Sequence, residues 1–209
     1  MNTNQHSGLT GSQLPSQAQV VIIGGGVIGC SIAYHLTKLG WRDVILLERS
    51  QLTAGTTWHA AGLVVTPSGD ELSVEMSTYT IELMKSLEDE TGMSTGFNPI
   101  GYLQLACTPE WLEERRRMAV AARRLGVNYL EISPKEVKEI WPLAETNDIL
   151  AGFFTPEDGR ANPVDFTMAL AKGARMGGAR IFEETSVIGI KHKDGRVTGD
   201  VTEKGDIEA

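Results

Sequence analysis

With 209 residues, 41% of them hydrophobic and 22% charged, the chain has an ordinary globular composition. Its length suits one domain, or one domain with a second lobe inserted in it. The formal charge of −8, from 19 basic and 27 acidic residues, argues against a nucleic-acid or anionic-membrane partner, and no apolar run approaches the ~18 residues a membrane span needs.

Residues 1–17 hold no Arg, no Lys and no apolar segment, so they are expected to be a disordered lead-in and not a signal or transit peptide. Residues 19–23 (QVVII) predict a buried parallel strand that runs straight into Gly24-Gly25-Gly26-Val27-Ile28-Gly29. A helix is predicted over 27–39, with Ile28, Ile32, Leu36 and Leu39 as its apolar side and Gly40 as its stop. Residues 43–48 (DVILLE) predict a second buried strand, closing a β-α-β unit. Residues 50–69 then turn small, polar and glycine-rich with no sustained periodicity. A loop of that length in a compact domain is usually functional.

Helical spacing returns over 71–92 and ends at Gly92, and 101–106 alternate as a strand. Thr108 caps a helix that starts at Pro109 and runs to Gly126. On it Arg115, Arg116, Arg117, Arg123 and Arg124 beside Glu113 and Glu114 read as a solvated face. A short strand at 127–131 precedes a capping box from Ser133 to Glu136, whose helix ends before Pro142. Asn162-Pro163 begins another helix, running to Met176 and closed by Gly177-Gly178. Strands follow at 179–182, 186–192 and 196–202, with Asp194-Gly195 as a hairpin turn and Lys204-Gly205 as a further turn. Cys30 and Cys107 have no metal-ligand spacing and are expected to be small buried hydrophobes of a reducing compartment.

Gly24, Gly26 and Gly29 fit the dinucleotide fingerprint in its proper setting, with a strand before and a helix after. The first glycine permits the tight turn, the second lets backbone amides reach a pyrophosphate, and the third lets the helix pack closely. Glu48, at the end of the second strand, is placed to accept hydrogen bonds from ribose hydroxyls. An acid there disfavours a 2′-phosphate and hence NADP, although Arg49 follows it. The small residues at Gly55-Thr56-Thr57 and Ala60-Ala61-Gly62 suit a large anionic ligand, which favours FAD over NAD.

With GGGVIG and LLER before it, the stretch LTAGTTWHAAGL at 52–63 resembles the dimethylglycine dehydrogenase, sarcosine dehydrogenase and dimethylglycine oxidase family. The likeness runs from about residue 18 to the last residue and includes GYLQLA, TPEDGRANPVDF and SVIGI followed by GRVTG. It implies an α/β fold: a Rossmann-like FAD/NAD(P)-binding domain with a mostly parallel sheet, built from 18–68 and 150–209. Residues 69–149 would begin an inserted α+β substrate lobe. It also implies that His59 is bonded to the 8α carbon of the flavin, a fitting role for imidazole, a good nucleophile near neutral pH. Such a tether would prevent cofactor loss and raise the flavin's reduction potential. Read without the resemblance, His59 bonds a phosphate or caps a loop.

The same resemblance places Val27 and Ile28 over the pyrophosphate and Glu48 and Arg49 at the adenosine ribose. It wraps Gly55, Thr56, Thr57, Trp58, His59, Ala60, Ala61, Gly62 and Leu63 along the pyrophosphate and ribityl-flavin side. Val187, by its residue type only a core valine, would meet the adenine through its backbone. His6, His35 and His192 gain no role.

The implied reaction is oxidation of an N-methyl amine, dimethylglycine or sarcosine, with oxygen or an electron-transfer flavoprotein as electron acceptor. Tetrahydrofolate would bind in a C-terminal region beyond residue 209, as would the catalytic residues, so this chain is expected to be an N-terminal portion. Bacterial cytoplasm, or the mitochondrial matrix in a eukaryote, is the expected compartment. Two other readings stay open. One is a non-catalytic regulator on the same fold, like the regulatory subunit of pyruvate dehydrogenase phosphatase, which lacks the Trp-His pair. The other is a glycine or D-amino-acid oxidase-like flavoenzyme with non-covalent FAD.

Overall fold

A computed structural model describes residues 13–66 and 70–209. His6, the expected lead-in up to residue 12 and the boundary expected near residue 68 lie outside the described residues. In chain order the elements begin with β1 (Val20–Ile23), α1 (Val27–Lys38), β2 (Val44–Leu47), a single 3-10 turn (Thr57–His59) and β3 (Leu63–Val64). Next come α2 (Glu71–Thr91), β4 (Tyr102–Ala106), α3 (Pro109–Arg124), β5 (Leu130–Ile132) and α4 (Pro134–Ile140). The chain continues with β6 (Ala151–Thr155), β7 (Gly159–Arg160), α5 (Pro163–Met176), β8 (Arg180–Phe182), β9 (Val187–Lys193), β10 (Arg196–Thr202) and β11 (Gly205–Glu208). No helix among the described residues is long and apolar enough to cross a membrane.

Contacts divide the chain into two units. The first joins the described residues up to Thr56 with Leu170–Ala209; the second is Thr57–Ala169. The sequence places the inserted segment at 69–149, whereas the second unit takes in β3, β6 and β7 as well. The reason is pairing within that unit: Leu63 lies opposite Arg160, and β6 is the middle strand of β4-β6-β5.

In the first unit β1, β2 and β8 form a parallel sheet in that order, with Val20 opposite Val44 and Ile45 opposite Arg180. All four residues of β2 are buried, as an unbroken apolar run in a parallel sheet requires. β9, β10 and β11 form an antiparallel meander. The turn at Asp194 (φ 52°) and Gly195 (φ 76°) has the left-handed backbone of a tight hairpin. Ala18, Ile45, Leu47 and Ile207 form a shared core, with Phe182 and Val187 packed against it. β11, not anticipated from the sequence, also receives the chain before β1. Gln17 bridges Glu208, Glu208 N–H donates to the Ser16 carbonyl at 2.9 Å, and the Ala18 N–H donates to Glu208 at 2.8 Å.

The face of α1 also departs from the predicted pattern. Ile28 is 74% exposed and Leu39 76%, while Gly29, Cys30, Ala33, Tyr34 and Thr37 are buried. Small residues bring a helix close to its neighbours, and here they win over the aliphatic row. Gly177 shows how tight the fit is, since a Cβ there would lie 2.4 Å from Thr37 Oγ1.

In the second unit the sheet β4-β6-β5 is antiparallel and covered on both faces. Ala106, Ala151 and Phe153 pack with Ala119 and Ala122 of α3. Leu103, Leu105 and Ile132 pack with Val137 of α4. The α4 cover needs Gly152, whose Cβ would lie 2.4 Å from Val137 Cγ2. Thr108, Asn162 and the Ser133–Glu136 capping box cap their helices as the sequence predicts. On α3, Arg116 and Arg117 pair with Glu131 and Glu114 in solvent-exposed ion pairs, in line with a solvated face. Cys30 is buried as expected, whereas Cys107, in the link between β4 and α3, is exposed.

Candidate dinucleotide and flavin site

The turn after β1 is held by backbone geometry. Gly24 has φ +107°, a conformation that side-chain-bearing residues rarely adopt. A Cβ on Gly29 would lie 1.9 Å from the Gly24 carbonyl oxygen, so the start of α1 sits on the turn itself. Gly26 caps α1 with no side-chain hydrogen bond, and the first turn carries no acid. The positive end of the helix dipole thus meets a glycine turn with no acid beside it, and a Cβ on Gly24 would meet nothing within 4 Å, which is the chemistry a diphosphate needs. Val27 and Ile28 stand in that first turn.

Gly25, between the fingerprint glycines, turns out to be constrained too. A Cβ there would lie 2.5 Å from the Leu52 side chain and 2.9 Å from Glu48 Cβ. Its N–H donates to one oxygen of the Glu48 carboxylate at 2.7 Å, and the Ser50 N–H donates to the other at 2.9 Å. Glu48 thus ties the glycine turn to the end of β2, a role the sequence did not suggest beside the ribose contact expected of it. The adjoining segment is tied down equally well. Thr53 N–H donates to the Gly25 carbonyl at 3.0 Å, and Leu52 N–H to the Glu183 carboxylate at 2.7 Å. Arg49, Gly55 and Thr56 are exposed. Val187 is half-buried in the edge strand β9, its side chain against the core of Ala18, Ile45, Leu47 and Ile207.

The remaining predicted residues belong to the second unit. Thr57 is buried and anchors the 3-10 turn, while Trp58, His59, Ala60 and Ala61 are exposed on and beyond it. The Trp58 and His59 rings lie 3.7 Å apart between centroids, tilted by 39°. Gly62 has φ +72°, and a Cβ there would lie 2.2 Å from the Ala161 carbonyl oxygen. Leu63 is 70% exposed and starts β3.

Past β3 the chain meets a residue that sequence reading passed over. Asp158 is fully buried, and both its carboxylate oxygens accept from one residue: Thr66 N–H at 2.9 Å and Thr66 Oγ1–H at 2.7 Å. Burial, partly offset by those two donors, raises its pKa above the ordinary aspartate value. The available signal was an acid before glycine in TPEDGR, which also reads as an unremarkable turn. Among the described residues no group of three or more His, Cys, Asp or Glu is placed to hold a metal ion.

The family model described as FAD dependent oxidoreductase matches residues 19–209. Mitochondrial dimethylglycine dehydrogenase of Mus musculus is 40% identical over 212 residues, covering 100% of this chain and 24% of that protein. The mitochondrial pyruvate dehydrogenase phosphatase regulatory subunit of Mus musculus is 41% identical over 195 residues, covering 93% of this chain and 22% of that protein. Among solved structures, L-proline dehydrogenase from P. horikoshii matches with a TM-score of 0.87 and 33% identity, over 93% of this chain and 51% of that one. The chain spans under a quarter of the length of these two curated relatives. The fingerprint turn, the α/β fold and the match over nearly the whole length agree: the chain belongs to the FAD dependent oxidoreductase family.

Proposed function

We propose that this chain is the cofactor-binding part of an enzyme that oxidatively demethylates an N-methyl amino acid, dimethylglycine or sarcosine, with FAD attached through His59. One observation carries the reading: His59 is exposed, its ring against that of Trp58, on a short turn flanked by small residues. Bound FAD would supply the hydride acceptor for the N-methyl carbon.

The chain's own residues do the binding. The α1 N-terminus and the Gly24–Gly29 turn would receive the pyrophosphate, Glu48 the adenosine ribose through its remaining lone pairs, and Val187 the adenine. Gly55 to Leu63 would follow the ribityl chain, with His59 at the 8-methyl edge. Electrons would leave to oxygen or an electron-transfer flavoprotein, and tetrahydrofolate would serve parts of the protein outside this chain. Cytoplasmic or mitochondrial-matrix residence goes with this reading.

A second reading has its own support. The pyruvate dehydrogenase phosphatase regulatory subunit is as similar to this chain as the dehydrogenase is, which favours a regulator on the same fold.

Acid precipitation of the full-length protein separates these readings. Yellow colour retained in the pellet supports attachment; colour released to the supernatant means non-covalent FAD; no colour favours the regulator. In the His59→Ala variant the pellet is expected to be colourless. Acid-stable flavin in that variant overturns the attachment. A panel of N-methyl amines then reads substrate choice as kcat/KM.

A further inference from the structure

The geometry points to Asp158 as the positioning residue that fixes the segment after His59, so that the imidazole is presented in one place for flavin attachment. This rests on the proposal that His59 carries the flavin.

Gly62, Leu63, Val64 and Thr66 are each joined to a residue of 158–161. Ala161 N–H donates to the Gly62 carbonyl at 2.8 Å, Leu63 lies opposite Arg160, and Val64 lies opposite Gly159. The ladder closes on the two hydrogen bonds that Thr66 donates to the Asp158 carboxylate. A two-residue strand is a weak clamp alone, because a slip of one residue costs little where few pairs must break. The Thr66–Asp158 pair removes that freedom. A slip would leave a buried carboxylate without donors, which costs far more than a lost ladder bond.

Asp158 is itself fixed from the other side. Its carbonyl accepts from Gly101 N–H at 2.7 Å, and Arg160 exchanges hydrogen bonds with Asn98 at 2.7 and 3.1 Å. A Cβ on Gly159 would lie 2.1 Å from the Asn98 carbonyl oxygen, so this second seam is closely packed. Segment 62–66 is therefore joined to a strand that cannot shift without disturbing 98–101. His59 stands three residues before the first rung, at Gly62.

Attachment demands such placement. The bond forms between an imidazole nitrogen of His59 and the 8α carbon. One proton leaves the imidazole and one leaves the methyl group. The electron pair released enters the flavin ring system and passes on to dioxygen. Rates of reactions between held groups fall steeply with misplacement of about an ångström.

The test uses full-length protein expressed with riboflavin sufficiency. Its readouts are the acid-stable fraction of flavin, total FAD per chain before acid, and the rate at which apoprotein supplied with FAD gains acid-stable flavin. Thr66→Val removes only the hydroxyl donor and keeps the shape; Thr66→Ser restores it; Asp158→Asn disables one acceptor. Thr66→Val and Asp158→Asn are expected to slow attachment about tenfold or more. Total FAD bound should stay within about twofold of wild type, and Thr66→Ser should recover the wild-type rate. Wild-type attachment rates in Thr66→Val overturn the role of Asp158 while leaving His59 standing. Equal losses of attachment and of total FAD in both variants, without rescue by Ser, also overturn it, as a general folding defect. Wild-type protein that releases all its flavin on acid removes the His59 proposal and this one with it.

Discussion

Gly29 shows how much a single missing atom decides. A methyl group there would lie 1.9 Å from a backbone oxygen of the turn, and neither partner is a flexible side-chain end. Gly29→Ala is therefore expected to lower stability by ~1–3 kcal/mol, as overpacking does, and to weaken FAD binding more than tenfold. Thermal unfolding and FAD titration read the two effects. The sequence identified this glycine because its role is local: strand, turn and helix follow each other directly. Gly25 and Asp158 were not identified because their partners, Leu52 and Glu48 for one and Thr66 for the other, are set by tertiary approach.

Asp200 is a second residue whose environment makes a claim. It is buried in the middle of β10, and burial raises its pKa above the ordinary aspartate value. A carboxyl that binds its proton more tightly in the folded state favours folding fully below the unfolded pKa of about 3.9. That contribution is lost as pH rises through the folded-state pKa. Asp200→Asn is thus expected to raise Tm by a few degrees at pH 7, with the gap closing as pH falls through the raised folded-state pKa and gone below about 4. A gap that persists at low pH places the cause elsewhere.

At the scale of elements, the best-read features are those with a chemical reason inside a few residues. The capping box on α4 is complete: Ser133 Oγ accepts from Glu136 N–H at 3.3 Å, and the Glu136 carboxylate accepts from Ser133 N–H at 2.7 Å. Ser133→Ala is expected to cost ~1 kcal/mol, seen as a lower denaturant midpoint with an unchanged slope. The hairpin at Asp194-Gly195 and the caps at Thr108 and Asn162 were legible for the same reason. The buried face of α1 was not. Aliphatic spacing pointed to Ile28, Ile32, Leu36 and Leu39, but close packing selected Gly29, Cys30, Ala33 and Thr37. β3 and β7, at two residues each, carry no period to detect, and they exist because each completes the other.

At the scale of the whole molecule, the chain leaves the first unit after Thr56 and re-enters it at Leu170, within α5. A split arrangement is what the broken β-α-β pattern suggests, while the strand pairing between distant residues that sets where contacts divide the chain leaves no mark in local composition. The nested order has a consequence in time. β2 needs β8 on its outer edge, where Ile45 meets Arg180, and every residue of β2 is buried when that edge is covered. At roughly 5–20 residues per second of synthesis, the stretch between them takes on the order of ten seconds to emerge. For that interval Val44–Leu47 is an apolar strand with an open side, while the second unit between them can fold as it appears. The meander, whose strands are joined by tight turns, closes quickly once made. Val44–Leu47 are thus made early and covered late, and a chaperone that shields nascent apolar strands would find them open during that interval.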